Sequence, residues 1–128
     1  CTTGVHKHVM EMAKALRKHH HALTIFGGHH PTFVSDIVNE PYVDLVCRGE
    51  GEGAFADLLN HLRDGKPIAE IKNLWVKEDG HIFRNEIRTL SGDLDRNGFP
   101  DREALYEASA FYRDSDRKCF QASRGCEM

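Results

Sequence analysis

Two short apolar runs, each followed by a glycine-containing loop, constrain the fold of this chain more than any other feature. Residues 22–26 are followed by Gly27-Gly28, and residues 43–47 are followed by Arg48-Gly49. An apolar run of about four to eight residues with such an end is typical of a strand buried on both faces of a parallel sheet. Helical patterns lie before, between and after the two runs, and this alternation predicts an open α/β sheet with short loops.

Three helices are predicted around these strands. Apolar residues at helical spacing run from Val5 to Leu16, with basic residues near the helix end, and Thr2 or Thr3 is expected to cap this helix. Pro31 is expected to open a short helix that reaches about residue 39, because its fixed φ suits a first turn. A third helix is predicted over about 53–62, with Gly65 ending it.

The pattern changes after residue 70. Residues 73–77 and 81–84 flank Glu78-Asp79-Gly80, which predicts a β-hairpin. Residues 91–100 are rich in Gly, Asp, Asn and Pro without periodicity, and they are interpreted as a linker. A short helix over 103–112 and a strand over 118–122 are predicted to follow.

Charge and cysteine content exclude several classes of protein. The formal net charge is −3, and no stretch gathers Lys and Arg without acidic neighbours, which argues against a nucleic-acid surface. The longest apolar runs are too short to span a bilayer. The four cysteines form no compact disulfide framework, so reduced thiols in a cytosolic protein are expected. Because the chain lacks an initiator methionine and opens on a loop, we expect a piece of a longer protein.

The carboxyl ends of the predicted strands hold the candidate binding residues, because ligands of open α/β sheets bind beyond those ends. Three loops are expected there: Thr2-Thr3-Gly4, Gly27-Gly28-His29 and Arg48-Gly49-Glu50. The glycine pair fits either a close ligand approach or a tight turn. The charged residues of 48–52 fit a polar ligand clamp or an acid–base group. They fit equally well an ion pair that fixes the loop before a helix.

Histidine and cysteine give weaker signals for a metal. Of the nine histidines, the consecutive residues 19–21 and 29–30 cannot converge on one ion, so they are interpreted as a solvated helix end and a polar loop. Cys126 follows a predicted strand in the loop Ser123-Arg124-Gly125-Cys126. A lone cysteine is more often inert than a ligand.

Taken in order, these segments resemble the cobalamin-binding radical S-adenosylmethionine (SAM) family. Thr2-Thr3-Gly4 is similar to the loop after the family's third strand. Gly27-Gly28-His29-His30-Pro31-Thr32 is similar to its glycine-pair loop, and residues 43–52 to its fifth strand and RGEGE loop. Asp93-Leu94-Asp95 with Phe99-Pro100-Asp101-Arg102 resembles its linker. Ser123-Arg124-Gly125-Cys126 resembles the approach to its CxxxCxxC motif.

The resemblance implies the C-terminal half of a Rossmann-like (flavodoxin-like) cobalamin-binding domain over 1–70. A hairpin over 71–90, a linker over 91–117 and the start of a radical SAM domain over 118–128 would follow. Cobalamin would lie over the carboxyl edge of the sheet, with its nucleotide tail beside the glycine pair. The implied cobalamin-binding residues are Thr2, Thr3, Gly4, Gly27, Gly28, His29, Arg48, Gly49 and Glu50.

The same resemblance implies a larger enzyme, called here the parent enzyme. Cys126 would be the first thiolate ligand of its [4Fe–4S] cluster, and SAM would bind to that cluster. The parent would be a cytosolic methyltransferase or tetrapyrrole cyclase acting on a small-molecule substrate. The chain itself holds too little of the cluster motif to catalyse a reaction.

Departures from the family limit the assignment. The first two strands and the family's Asp-x-His-x-x-Gly loop are absent, so no histidine here is assigned as the lower cobalt ligand. The isolated chain is therefore expected to bind cobalamin weakly or not at all. Its open sheet edge could pair with that of a second copy to form a homodimer. The alternative is a flavodoxin-like binding or signalling module without a radical SAM partner, although the acidic pocket of receiver domains is not found.

Overall fold

The computed structural model describes residues 1–90, 92–118, 120 and 124. The chain divides into two compact units, Cys1–Gly92 and Asp93–Met128. The first unit is an α/β structure with one four-stranded sheet, and the described part of the second is helical. No helix in the described residues is both long and apolar enough to cross a membrane.

The first unit alternates helices and strands before it ends in a hairpin. Its elements are α1 (His6–His19), β1 (Ile25–Phe26), α2 (His29–Phe33), a 3₁₀ helix (Ser35–Asn39), β2 (Leu45–Cys47), α3 (Glu52–Arg63), β3 (Leu74–Glu78) and β4 (His81–Arg84). The strand order is β1-β2-β3-β4. β1 and β2 are parallel, whereas β3 is antiparallel to β2 and β4 to β3.

The predicted α/β class is confirmed, and a strand forms at both predicted positions. β2 is buried throughout, whereas β1 is limited to Ile25–Phe26 with Ile25 half-buried, so burial of 22–26 on both faces is only partly confirmed. The hairpin is also confirmed, with Asp79 and Gly80 at φ 49° and 78° in its two-residue turn, the positive values that a type I′ turn requires. This hairpin extends the sheet beside β2, so the sheet is mixed and only β1 and β2 are parallel. The Rossmann-like cobalamin identity of the unit remains a prediction.

The core lies on both faces of the sheet, because successive residues of a strand point to opposite sides. Leu45 and Cys47 face one side and Val46 faces the other, and all three are buried. The cluster on the α3 side consists of Leu45, Cys47, Ala54, Leu58, Ile71, Leu74 and Val76. The cluster on the α1 side consists of Ala13, Phe26, Ile37, Val38, Val43 and Val46. Burial on both faces explains why β2 is continuously apolar.

The prediction that Thr2 or Thr3 caps α1 is wrong. The residue before the helix is Val5, which makes no side-chain cap bond, and its N–H donates to the carbonyl of Thr2 at 3.2 Å. The hydroxyl of Thr3 instead lies 3.2 Å from Nδ1 of His30. A contact between distant segments has therefore replaced the local cap.

The helix predicted to open at Pro31 begins two residues earlier, at His29, and ends at Phe33. Pro31 is tolerated because N–H groups of a first turn have no partner inside the helix. Val34, at φ −120° and ψ 66°, separates this helix from the 3₁₀ helix. Gly65 does end α3 as predicted, at a positive φ of 65°.

The second unit contains a 3₁₀ helix (Leu94–Asn97), α4 (Arg102–Ala108) and α5 (Ala110–Arg113). A single helix over 103–112 is wrong, because Ser109 adopts an extended conformation between α4 and α5. The side chain of Asp101 caps α4 by accepting a hydrogen bond from the N–H of Ala104 at 3.1 Å. Most of the predicted strand at 118–122, and Cys126, lie outside the described residues.

Candidate functional site

Three loops, 1–4, 27–32 and 47–52, meet at the carboxyl ends of β1 and β2. The amino group of Cys1 donates to the carbonyl of Gly27, and the N–H of His30 donates to the carbonyl of Cys1 at 3.1 Å. The Thr32 hydroxyl accepts from the N–H of Gly49 at 3.1 Å, which ties the second loop to the third. The structure thus brings the predicted residues of all three loops to one edge of the sheet. Of the predicted site residues, only Cys126 lies outside the part of the chain that the structure describes.

Gly28 adopts a backbone conformation that other residues rarely take. Its φ is +97°, and a Cβ built on it would lie 2.6 Å from the backbone nitrogen of Cys1, far inside van der Waals contact. A Cβ on Gly27 would meet only Cys47, at 3.6 Å from its Cβ and 4.0 Å from its carbonyl oxygen, which is ordinary van der Waals contact. The turn therefore explains Gly28 without a ligand, and contact between cobalamin and this pair remains a prediction.

The first loop is fixed to α2 by a pair of histidines. His30 is only 8% exposed, and its ring stacks on that of His6 with 4.5 Å between centroids. The Nδ1 atom of His6 lies 2.6 Å from the Thr3 carbonyl oxygen. No group of three metal-ligating His, Cys, Asp or Glu side chains occurs in the described part of the chain.

Several side chains of the three loops face solvent. Thr2, Thr3 and His29 are exposed, as is the backbone of Gly4. Hydroxyl and imidazole groups can exchange hydrogen bonds with a polar ligand. This edge therefore offers polar groups to a ligand that covers it.

The Arg48 side chain packs on an aromatic ring rather than extending freely into solvent. Its guanidinium lies over the ring of Trp75, 4.9 Å from the centroid, a distance at which cation–π attraction operates. Its Nε atom is buried and has no hydrogen-bond partner among the described residues. The buried Nε–H of Arg48 thus has no hydrogen-bond acceptor among the described residues, although the residue as a whole is partly exposed.

Asn73, which precedes β3, is the site residue that sequence reasoning missed. It is 2% exposed and has a left-handed φ of 73°. Its Nδ2 donates to the carbonyl of Glu50 at 2.6 Å, and its Oδ1 accepts from the N–H of Arg88 at 2.6 Å. Asparagine tolerates this backbone region better than most residues, but the prediction treated residue 73 as ordinary strand.

The Cys47 thiol at the end of β2 is a packing group. Burial is the main cause that raises the pKa of Cys47, and the nearby Glu52 carboxylate raises it further, against an opposing effect of Arg88. The side chain is therefore protonated at neutral pH and packs as a small apolar group. Cys1 and Cys47 are both free thiols.

Comparison with known proteins gives two distant relatives, and no family model matches the chain. Over 99 residues, 76% of this chain, it is 30% identical to an uncharacterised methyltransferase of Pyrococcus horikoshii and covers 21% of that protein. Over 128 residues, 98% of this chain, it is 25% identical to the anaerobic magnesium-protoporphyrin IX monomethyl ester cyclase of Synechocystis sp., of which it covers 26%. The chain thus spans about a quarter or less of the length of these curated relatives.

Proposed function

We propose that this chain is the cobalamin-binding portion of a B12-dependent radical SAM enzyme. The parent enzyme transfers methyl groups or closes a tetrapyrrole ring, and the chain itself does not catalyse the reaction. The observation that carries the proposal is the meeting of loops 1–4, 27–32 and 47–52 at the carboxyl edge of the sheet. Ligands of open α/β sheets bind at such an edge.

The distant relatives agree with the proposed reaction classes. One is described as a methyltransferase and the other as a magnesium-protoporphyrin IX monomethyl ester cyclase. Because the chain covers only 21% and 26% of them, the activity of the parent enzyme is assigned to segments beyond these residues.

The chemistry of the edge fits cobalamin, a large ligand with peripheral amides and a phosphodiester in its tail. Amide and phosphate oxygens would accept a hydrogen bond from the hydroxyl of the exposed residue Thr2. Arg48 is partly exposed at this edge, and its charged guanidinium suits the same oxygens, because a hydrogen bond to a charged group is stronger than one between neutral groups.

The described residues do not fit an iron–sulfur cluster, which requires several thiolate ligands close together. Cys47 is buried, and its pKa is raised, first by burial. Cys126 lies outside the described residues, and its assignment to the cluster rests on the resemblance. The gene sequence provides a direct test. A CxxxCxxC motif continuing from Cys126 would support the radical SAM assignment, and its absence would favour the flavodoxin-like alternative.

Arg48→Met in the parent enzyme should weaken hydroxocobalamin binding about tenfold, the effect of losing one hydrogen bond to a charged group. Methionine keeps an unbranched apolar stem against Trp75, so the thermal midpoint should change little. The affinity is measured by following the absorbance of hydroxocobalamin during titration.

Cys47→Ala is the matched control for this substitution. It should lower the free energy of unfolding by about 1 kcal/mol, because a small buried side chain is truncated, and it should leave the affinity unchanged. Wild-type affinity in Arg48→Met would contradict the assignment of Arg48 to the cobalamin site.

A further inference from the structure

The segment 48–52, called here the RGEGE loop, is bonded to the Thr32 hydroxyl through the N–H of Gly49 and to the buried residue Asn73 at two further points. The N–H of Arg48 donates to the backbone carbonyl of Asn73 at 2.8 Å. Two residues later, the carbonyl of Glu50 accepts from Nδ2 of Asn73 at 2.6 Å. Asn73 therefore forms two hydrogen bonds with the loop, one through its backbone carbonyl and one through its side-chain amide.

The same asparagine is itself anchored to the segment that follows β4. Its N–H donates to the carbonyl of Glu86 at 2.8 Å, and its Oδ1 accepts from the N–H of Arg88 at 2.6 Å. The guanidinium of Arg88 in turn forms an ion pair with Asp57 on α3 at 2.5 Å. Each end of the Asn73 amide is thus used, and the chain of contacts runs from the RGEGE loop to α3.

Close packing reinforces this connection. A Cβ on Gly49, which has a φ of +73°, would lie 3.3 Å from Cγ2 of Ile87. A Cβ on Gly53 would lie 2.7 Å from a guanidinium nitrogen of Arg88. The segment 86–88 therefore presses against both the RGEGE loop and the first turn of α3, and Asn73 is the hydrogen-bonded link between them.

We infer that Asn73 is a positioning residue for cobalamin: it fixes the backbone position of the RGEGE loop at the sheet edge without touching the ligand. This inference rests on the proposed function. Asn73 is 2% exposed, which leaves no surface for ligand contact, whereas Arg48, Gly49 and Glu50 are partly exposed. Because the Asn73 amide is bonded to Glu50 at one end and to Arg88 at the other, the position of segment 86–88 helps to fix the position of the loop residues that would meet the ligand.

Two substitutions separate the side chain from the backbone. Asn73→Gly keeps the left-handed conformation but removes both side-chain hydrogen bonds. Asn73→Asp keeps an acceptor for the N–H of Arg88 and loses the donor to Glu50. We expect both to speed amide hydrogen exchange in 48–52 about tenfold and to weaken hydroxocobalamin binding about tenfold in the full-length gene product, the scale of one lost hydrogen bond.

Asn85→Ala is the matched control. Asn85 is a half-buried asparagine close to Asn73 in the chain, and its Nδ2 donates to the carbonyls of Ala69 and Leu74 at 2.7 and 2.8 Å, with no bond to the RGEGE loop. It should lower the thermal midpoint as the Asn73 variants do, while exchange in 48–52 and cobalamin affinity stay at wild-type values.

The two readouts distinguish failure of this inference from failure of the proposed function. A wild-type protein that binds no hydroxocobalamin refutes the proposed function, and the inference that rests on it falls for that reason alone. If the wild type binds, wild-type exchange or wild-type affinity in Asn73→Gly overturns the positioning role. Equal losses of affinity in Asn85→Ala also overturn it, because general destabilisation would then be the cause.

Discussion

Gly28→Val should lower the free energy of unfolding of the α/β unit by about 3 kcal/mol. Gly28 has a φ of +97°, and a Cβ there would lie 2.6 Å from the backbone nitrogen of Cys1 and 3.1 Å from its carbonyl oxygen. Valine combines an unfavourable left-handed backbone with a branched side chain that has no room. Chemical denaturation of the variant and the wild type measures the difference.

Gly27→Ala is the control in the same loop. The nearest atom to its new methyl group would be the Cβ of Cys47, at 3.6 Å, so this change should alter stability by less than about 1 kcal/mol. A Gly28→Val variant that remains as stable as wild type but loses cobalamin affinity would contradict the backbone explanation. It would instead assign Gly28 to ligand contact.

Asp44→Ala should lower the free energy of unfolding by about 3 kcal/mol, because it removes one partner of a partly buried charged network. Asp44 forms an ion pair with Arg17 of α1. It also accepts from the N–H of Thr24 at 2.8 Å and from the Thr24 hydroxyl at 2.9 Å. Arg17 Nε is already buried without a hydrogen-bond partner among the described residues, so losing the carboxylate leaves its guanidinium poorly compensated.

The difference in free energy of unfolding between wild type and Asp44→Ala should depend on pH, because the pKa of Asp44 is shifted in the folded state. Burial acts to raise the pKa, but hydrogen bonds from Arg17 and Thr24 together outweigh it, and the pKa falls below its ordinary value of 3.8. A carboxyl with a lowered pKa in the folded state stabilises the fold above its unfolded-state pKa. The advantage of wild type over Asp44→Ala should therefore be complete above about pH 5 and shrink as pH falls through the folded-state pKa.

Asp64→Ala is the control for charge alone. Arg63 and Lys66 lower the pKa of Asp64 through hydrogen bonds, but this group is fully exposed and such pairs contribute little. Its unfolding curve should match that of wild type at neutral pH. An Asp44→Ala variant that also matches wild type would refute the role of the network between α1 and β2.

Short-range patterns predicted the elements whose causes are local. The apolar runs at 22–26 and 43–47 identified β1 and β2, although the paired strands are shorter. Asp79 and Gly80 identified the hairpin because few residues accept two successive positive φ values. Gly65 ended α3 for a related reason. In each case the local residue types favour the conformation.

Features that depend on distant contacts could not be read from the sequence. Thr3 fits a helix cap by its type, but its hydroxyl meets His30 of another loop. Arg48 and its glutamates suggest an ion pair, yet the guanidinium of Arg48 stacks on Trp75 of β3. The role of Asn73 requires the segment after β4 to return to the sheet edge. Propensity describes one residue and its neighbours, whereas these contacts join separate elements.

If the proposed function is right, cobalamin binds at the carboxyl edge where the three loops meet. Amide hydrogen exchange of the full-length gene product, with and without hydroxocobalamin, tests it most directly. We expect the ligand to slow amide exchange in residues 27–32 and 48–52 and to leave exchange in the hairpin turn at Asp79 and Gly80 unchanged. Absence of hydroxocobalamin binding, or protection confined to segments away from these loops, would contradict it.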